Sequence, residues 1–275
     1  MKIFKDATVF ALLGSVLLLS ACDSGKENKA TKPADDGASE AVVINPDVLP
    51  YLNIREQAAK IAKPFCENKS CIDLEIQTIQ TVDTWLNGWI EKNQASVVQD
   101  QIALKQNMNL QQAVDAYVKK SDAWQAEFKT NKAYELAMYT RVPYQRNQYV
   151  LLQIGVDTKQ ENITVKERYY FFVADRRAKK NLKPLDIIDA KQQQNMDAIV
   201  QQAYSKWLDE QEVDVKKSAP KKLYWGQADW FFDQEGVGLH YRTDEIVKDG
   251  KQLDIYLSKA QTQQVLKADV YQHMF

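Results

Sequence analysis

The sequence predicts an α+β protein in which antiparallel sheet packs against amphipathic helices. Apolar residues alternate with polar ones in several short stretches, the period of half-buried strands, and elsewhere recur every three or four residues, the period of helices with one buried face. The composition can fill the core that such elements require. Of 275 residues, 45% are hydrophobic and 10% aromatic, against 27% charged.

The chain opens with Lys2 and Lys5, continues as an apolar run from Ala7 to Leu19, and closes that run with Leu19-Ser20-Ala21-Cys22. A positive start, a short apolar run and small residues make a secretory leader. The closing tetrapeptide resembles the bacterial lipobox. That resemblance implies cleavage between Ala21 and Cys22 and a diacylglyceryl, palmitate-bearing Cys22, so that a lipid holds the protein to a membrane. The alternative is a single transmembrane helix, but a span needs roughly 20 apolar residues. Without Lys2, Lys5 and Asp6 of the leader, 34 basic and 36 acidic residues remain, so charge adds no attraction to anionic lipid. Asp23 follows the anchor, and the enteric lipoprotein rule reads an aspartate there as retention in the inner membrane, facing the periplasm.

Residues 22–45 are rich in Lys, Asp, Glu, Ala, Ser and Gly and hold almost no large apolar residue before Val42. They read as a flexible tether with a reach on the order of 25 Å. The fold is expected from Pro46 on, as an amino-terminal α+β part over 46–132 and a carboxy-terminal part over 133–275.

Cys66 and Cys71 are the two thiols left after lipidation. In an exported protein they suggest a local disulfide, contributing about 2 kcal/mol by loop closure. The competing reading, a metal pair, finds no partner with Cys-x-x-Cys or His-x-His spacing, since His240 and His273 stand alone. The alternation of Ile72, Leu74 and Ile76 predicts a strand, with Ala58 to Phe65 as its hairpin partner across the ENKS turn. Thr81 or Asp83 can cap a helix with Trp85, Leu86, Trp89 and Ile90 on one face. Asn109 and Gln112 make a capping pair for a helix reaching Phe128.

Beyond residue 133, alternation at Tyr134, Leu136 and Met138, then Tyr149–Val156, then Ile163–Ala174 predicts a three-stranded antiparallel meander. Met196, Ile199, Ala203 and Trp207 predict a long helix ahead of the Lys-rich 214–222 stretch. Strands follow at Trp225–Phe232, Val237–Arg242 and Leu253–Leu257, and a short helix at Lys259–Lys267.

Function is less legible. The net charge of −1 supplies no field for nucleic acid. No glycine-rich phosphate loop, nucleophile elbow or metal-ligand spacing stands in the chain, so no cofactor, metal or catalytic set is expected. In Val237–Arg242, alternation puts Leu239 and Tyr241 on one face and His240 with Arg242 on the other, predicted to be surface.

The segment YVLLQIGVDTKQENITVKERYYFFVADRRAKKNLKPLDIID, the helix ending in Trp207, and then WFFDQEGVGLHYRTDEI and LDIYLS together resemble the extracytoplasmic domain of the RsiV family, named for a membrane-bound anti-sigma factor that senses lysozyme. The resemblance covers residues 133–275, with landmarks at Leu182, Leu185, Asp186, Phe232, Gly238, Leu239 and Tyr241. Family members carry a Gly-Gly-Ala-His loop where this chain has Gly155-Val156-Asp157-Thr158-Lys159. Their Tyr/Pro-rich excursion is replaced by the shorter, proline-free Thr243–Gly250. The resemblance implies a non-catalytic binding domain for lysozyme or a related cell-wall hydrolase. It places contacts on a rim of 155–163 and 243–250, through Gly155, Asp157, Lys159, Asp244 and Glu245, with His240 and Arg242 beside them. One alternative is a peptidoglycan-binding module using Trp225, Trp230, Phe231, Tyr241 and Tyr256 as a stacking surface; buried indoles would count against it. A second is an uncharacterised periplasmic enzyme.

Overall fold

The computed structural model describes residues 49–64, 72–127, 134–160 and 163–275. The leader, Ala21, Cys22 and the tether lie outside the described residues, and so do Cys66 and Cys71 with their proposed bridge.

Among the described residues nine strands form two sheets. The larger runs in sequence order through β1 (Arg55–Ala58), β2 (Asp73–Gln80), β3 (Glu135–Arg146), β4 (Tyr149–Gln160), β5 (Ile163–Asp175) and β6 (Lys180–Leu182). Every pairing is antiparallel except β2 with β3. The expected meander is thus the middle of a six-stranded mixed sheet. A parallel neighbour needs a crossover connection, and α1 (Thr84–Asp100) with α2 (Leu110–Glu127) provides it. The sheet thereby continues across residues 132 and 133, with Asp73 paired to Glu135. All the described residues fall in one unit, Asn45–Phe275.

Of the strand predicted over Ala58–Phe65, the described residues beyond Ala58, 59–64, are not strand. The strand ends at Ala58 and pairs with the far half of β2, Ala58 opposite Gln77. Beyond it the Ala62 amide donates to Gln111 Oε1 on α2 at 2.7 Å, and Pro64 has no N–H to offer a ladder. The caps follow the sequence more closely. Asp83 accepts from the Leu86 amide at 3.0 Å, and Asn109 and Gln112 satisfy each other's backbone N–H.

The second sheet, β7 (Asp229–Phe232), β8 (Val237–Tyr241) and β9 (Leu253–Tyr256), is antiparallel throughout. Trp225–Gln227, predicted as part of the first of these strands, forms a 3-10 turn instead. Between the sheets run α3 (Pro184–Ile187), the long α4 (Gln193–Asp209) and α5 (Val213–Ser218). The predicted final helix is α6 (Lys259–Val265), and a further helix, α7 (Ala268–Met274), follows it.

Strand β4 explains the architecture. Its residues are buried from Tyr149 through Val156, the near-continuous apolar run of a strand covered on both faces. Val150, Leu152, Ile154 and Val156 meet Leu86, Ile90, Val114 and Tyr117 of α1 and α2 in one core. Tyr149 and Leu151 meet α4, α6, α7 and the second sheet in another, which holds Met196, Tyr204, Trp230, Leu239 and Tyr241. At 25 cal/mol per Å² of apolar area, each fully buried aliphatic or aromatic side chain here contributes about 1.5–3 kcal/mol.

Candidate functional site

The antiparallel register lines up Asp229, His240 and Asp254 across β7, β8 and β9, with Phe231, Gly238 and Tyr256 as the next row on the same face. His240 and Arg242 do share a face, but not the solvent. All five residues of β8 are buried and His240 is 2% exposed. The central strand has neighbours on both sides, and the His240 face is covered by β5, whose Phe171 ring meets the imidazole edge-on at 5.0 Å. Alternation separates two faces and cannot say that both are covered.

His240 Nδ1 lies 2.6 Å from Asp254 Oδ1, and Gln252 donates to the other oxygen. Burial pushes the Asp254 carboxyl up, but the hydrogen bonds from His240 and Gln252 outweigh it and hold the group below its ordinary range. Asp229 Oδ2 accepts from the Phe171 amide at 3.0 Å and from Arg242 Nη1 at 2.5 Å. Strand β6 pairs β5 only over Val173–Asp175, so the carboxylate satisfies an N–H that the sheet edge leaves open. Desolvation raises the Asp229 carboxyl, and the Arg242 charge opposes it. Arg242 also donates through Nη2 to Glu245 Oε1 at 2.8 Å and lies 4.2 Å above the Tyr170 ring. Burial pulls its guanidinium down, and the two carboxylates more than restore it. Arg242 and Glu245 are therefore committed inside the protein, and Asp244 is the exposed carboxylate of that turn.

The sequence-predicted rim is only partly assembled. Residues 155–160 belong to β4 rather than to a loop. Gly155 lies under the Tyr139 ring, which a Cβ would strike; Asp157 accepts from the Glu167 amide at 2.7 Å; and Lys159 pairs with Glu135 at 3.0 Å on the surface. Asp244 lines an open cleft of about 620 Å³ with Arg242 and Thr243, but its opposite wall is β5 from Ile163 to Tyr169. Asp157 reaches that wall only through Glu167.

The proposed indole platform is core. Trp225 and Trp230 are each 2% exposed and Tyr241 is fully buried. Their polar ends are used internally, on Asp197 Oδ1, the Leu182 carbonyl and the Tyr224 carbonyl. Phe231 and Tyr256 instead border a second cleft, of about 370 Å³, with Arg141, Gln153, Tyr169, Phe171, His240 and Asp254. Sequence reasoning missed Arg141, Gln153 and Asp254. Their signal is register, since Arg141 faces Gln153 and Gln153 faces Phe171 across β3, β4 and β5. Among the described residues no group of three His, Cys, Asp or Glu side chains could hold a metal, and no helix is long and apolar enough to cross a membrane.

No family model matches the chain, and no curated protein matches it. Solved structures do. A DUF3298 family protein from Pseudomonas aeruginosa PAO1 superposes with a TM-score of 0.58 at 16% identity, over 81% of this chain and 97% of that one. A DUF3298 family member from Bacteroides fragilis gives 0.52 at 12% identity, over 81% of this chain and 98% of that one. The chain is thus similar in fold to these DUF3298 proteins.

Proposed function

We propose that the protein is a lipid-anchored component of the bacterial cell envelope, facing the periplasm, whose folded unit binds a protein partner of the lysozyme class and performs no catalysis. The observation that carries this reading is the open cleft between residues 163–169 of β5 and the Arg242–Asp244 turn, which joins Ile163, Thr243 and Asp244 of the rim that the family resemblance implies. The lipobox and the DUF3298-like fold support it. So does the internal commitment of His240 and Arg242, each held by carboxylates rather than set beside a nucleophile.

Titration of a c-type lysozyme into the full-length protein in detergent tests the partner. A complex is expected, and Asp244→Lys should slow its association and change its salt dependence, because an exposed charge steers encounter with a basic protein. Glu245 is unsuited to reversal because it holds Arg242. No complex at about 0.1 mM, where micromolar affinity is unmistakable, overturns the partner. Cys22→Ser should abolish incorporation of labelled palmitate in cells; undiminished labelling overturns the anchor.

A further inference from the structure

The smaller cleft has a construction that the partner-binding reading does not use. Phe231 lies across Gly238, where a Cβ would collide with the ring. A ring laid over a glycine on one side turns its other face outward. Phe171 packs beside it at 5.1 Å, tilted by 41°, and Tyr256 stands nearly perpendicular at 5.3 Å. Tyr256 is 69% exposed, although it is a large aromatic on a rigid strand. Tyr169, Tyr144 and Phe232 add further aromatic wall, Pro143 and Leu151 aliphatic wall, and the rest of the lining is polar. Arg141 Nε donates to Gln153 Oε1 at 2.5 Å, and Asp254 is fixed by His240 and Gln252 on its two oxygens. Asp233 is a second carboxylate in the lining.

Flat aromatic faces bracketed by planar amide, guanidinium and carboxylate groups suit a ligand with an apolar face and a rim of hydroxyls. The cleft volume falls in the range of small-ligand sites, and its groups stand on strands, the kind of scaffold that holds a site preformed. The charge of the lining selects further. Asp254 stays ionised near neutral pH beside Asp233, and two carboxylates outnumber the Arg141 cation in the lining, so phosphate-bearing ligands such as nucleotides are disfavoured. We propose that this cleft binds an uncharged pyranose unit of a glycan, stacked against Phe231 and Tyr256, with its hydroxyls donating to Asp254 and accepting from the Nη groups of Arg141. The two clefts share only Tyr169 and Gln252, and glycan binding here does not depend on a protein partner at the other.

The probes are the N-acetylglucosamine tetramer and the glucose tetramer, titrated calorimetrically into the full-length protein in a detergent without a sugar head group. At least one should bind with a dissociation constant of about 1 mM or tighter. Raising salt from about 50 to 500 mM should leave the affinity unchanged, since the ligand carries no charge to screen. Tyr256→Ala should weaken binding about tenfold, the scale of losing one aromatic anchor. Its exposure makes unfolding improbable as the cause, and an unchanged Tm confirms that the fold is intact. Arg141→Met, at a second exposed position, should weaken binding with the fold likewise retained. No heat from either tetramer at about 10 mM overturns the proposal, as does full affinity in both variants.

Discussion

Asp229 is a half-buried carboxylate whose two partners come from different sheets. It receives the Phe171 amide from the edge of β5 and the Arg242 guanidinium from the end of β8, and so pins the second sheet against the first. Removing Asp229 leaves the Phe171 amide without its acceptor and Arg242 with Glu245 as its one carboxylate. Asp229→Ala should cost about 1–3 kcal/mol in urea unfolding, and a loss below about 0.5 kcal/mol would show that the pair holds nothing. Asp254 has the opposite electrostatic balance and sets a pH dependence. Its carboxyl lies below the ordinary value of 3.8 in the folded protein. The stability it supplies is therefore complete above that value and is lost as pH falls through the lower folded value. Asp229 and Glu245 are raised, so their ionisation opposes folding and they cannot produce the same acid limb. The stability gap between wild type and Asp254→Asn should accordingly narrow from neutral pH to about pH 3. A gap constant over that range would remove Asp254 as its source.

At the scale of elements, Asp83 joins a cap to an ion pair. One carboxylate oxygen caps α1 at the Leu86 amide, and the other meets Arg176 Nε at 3.0 Å, with only 4% of the arginine side chain exposed. Asp83→Asn keeps a capping oxygen and loses the charge; Asp83→Ala loses both. The alanine variant should be about 1 kcal/mol less stable than the asparagine variant, the usual worth of a cap, and equal midpoints in thermal unfolding would refute the division. That cap was legible in the sequence because capping is local. So were the helix through Met196 and Trp207, which follows from 3.6-residue spacing, and the strands of the second sheet. What could not be read depends on distant partners. The parallel pairing of β2 with β3 joins residues separated by two helices, and the burial of His240 depends on Phe171, far away in the chain. The predicted loop at Gly155–Lys159 is strand because Tyr139 and Tyr169 close over the glycine from both neighbouring strands. The aromatic cleft was half legible: Phe231 and Tyr256 were singled out, but Trp225 and Trp230 stood beside them with nothing local to mark them as core.

The whole molecule turns on β4, which divides its side chains between two cores that share no other strand so completely. Leu152 has the α1 and α2 face and Leu151 the α4 and second-sheet face, both buried on adjacent residues of one backbone. Neither core can lose β4 without exposing the other, so the two should melt together, even though each has the residues of a separate small domain. Four of the six tryptophans are core residues, Trp89 in the first core and Trp207, Trp225 and Trp230 in the second. Labelling them with fluorotryptophan gives probes of both cores in one urea titration, and coincident midpoints are the expected result for a two-state unit. Leu152→Ala, which empties a site only in the first core, should lower stability by about 2–5 kcal/mol. It should move the Trp225 and Trp230 resonances to the new midpoint along with Trp89. If the second-core tryptophans keep the wild-type midpoint while Trp89 melts early, β4 does not couple the cores and the unit unfolds as two.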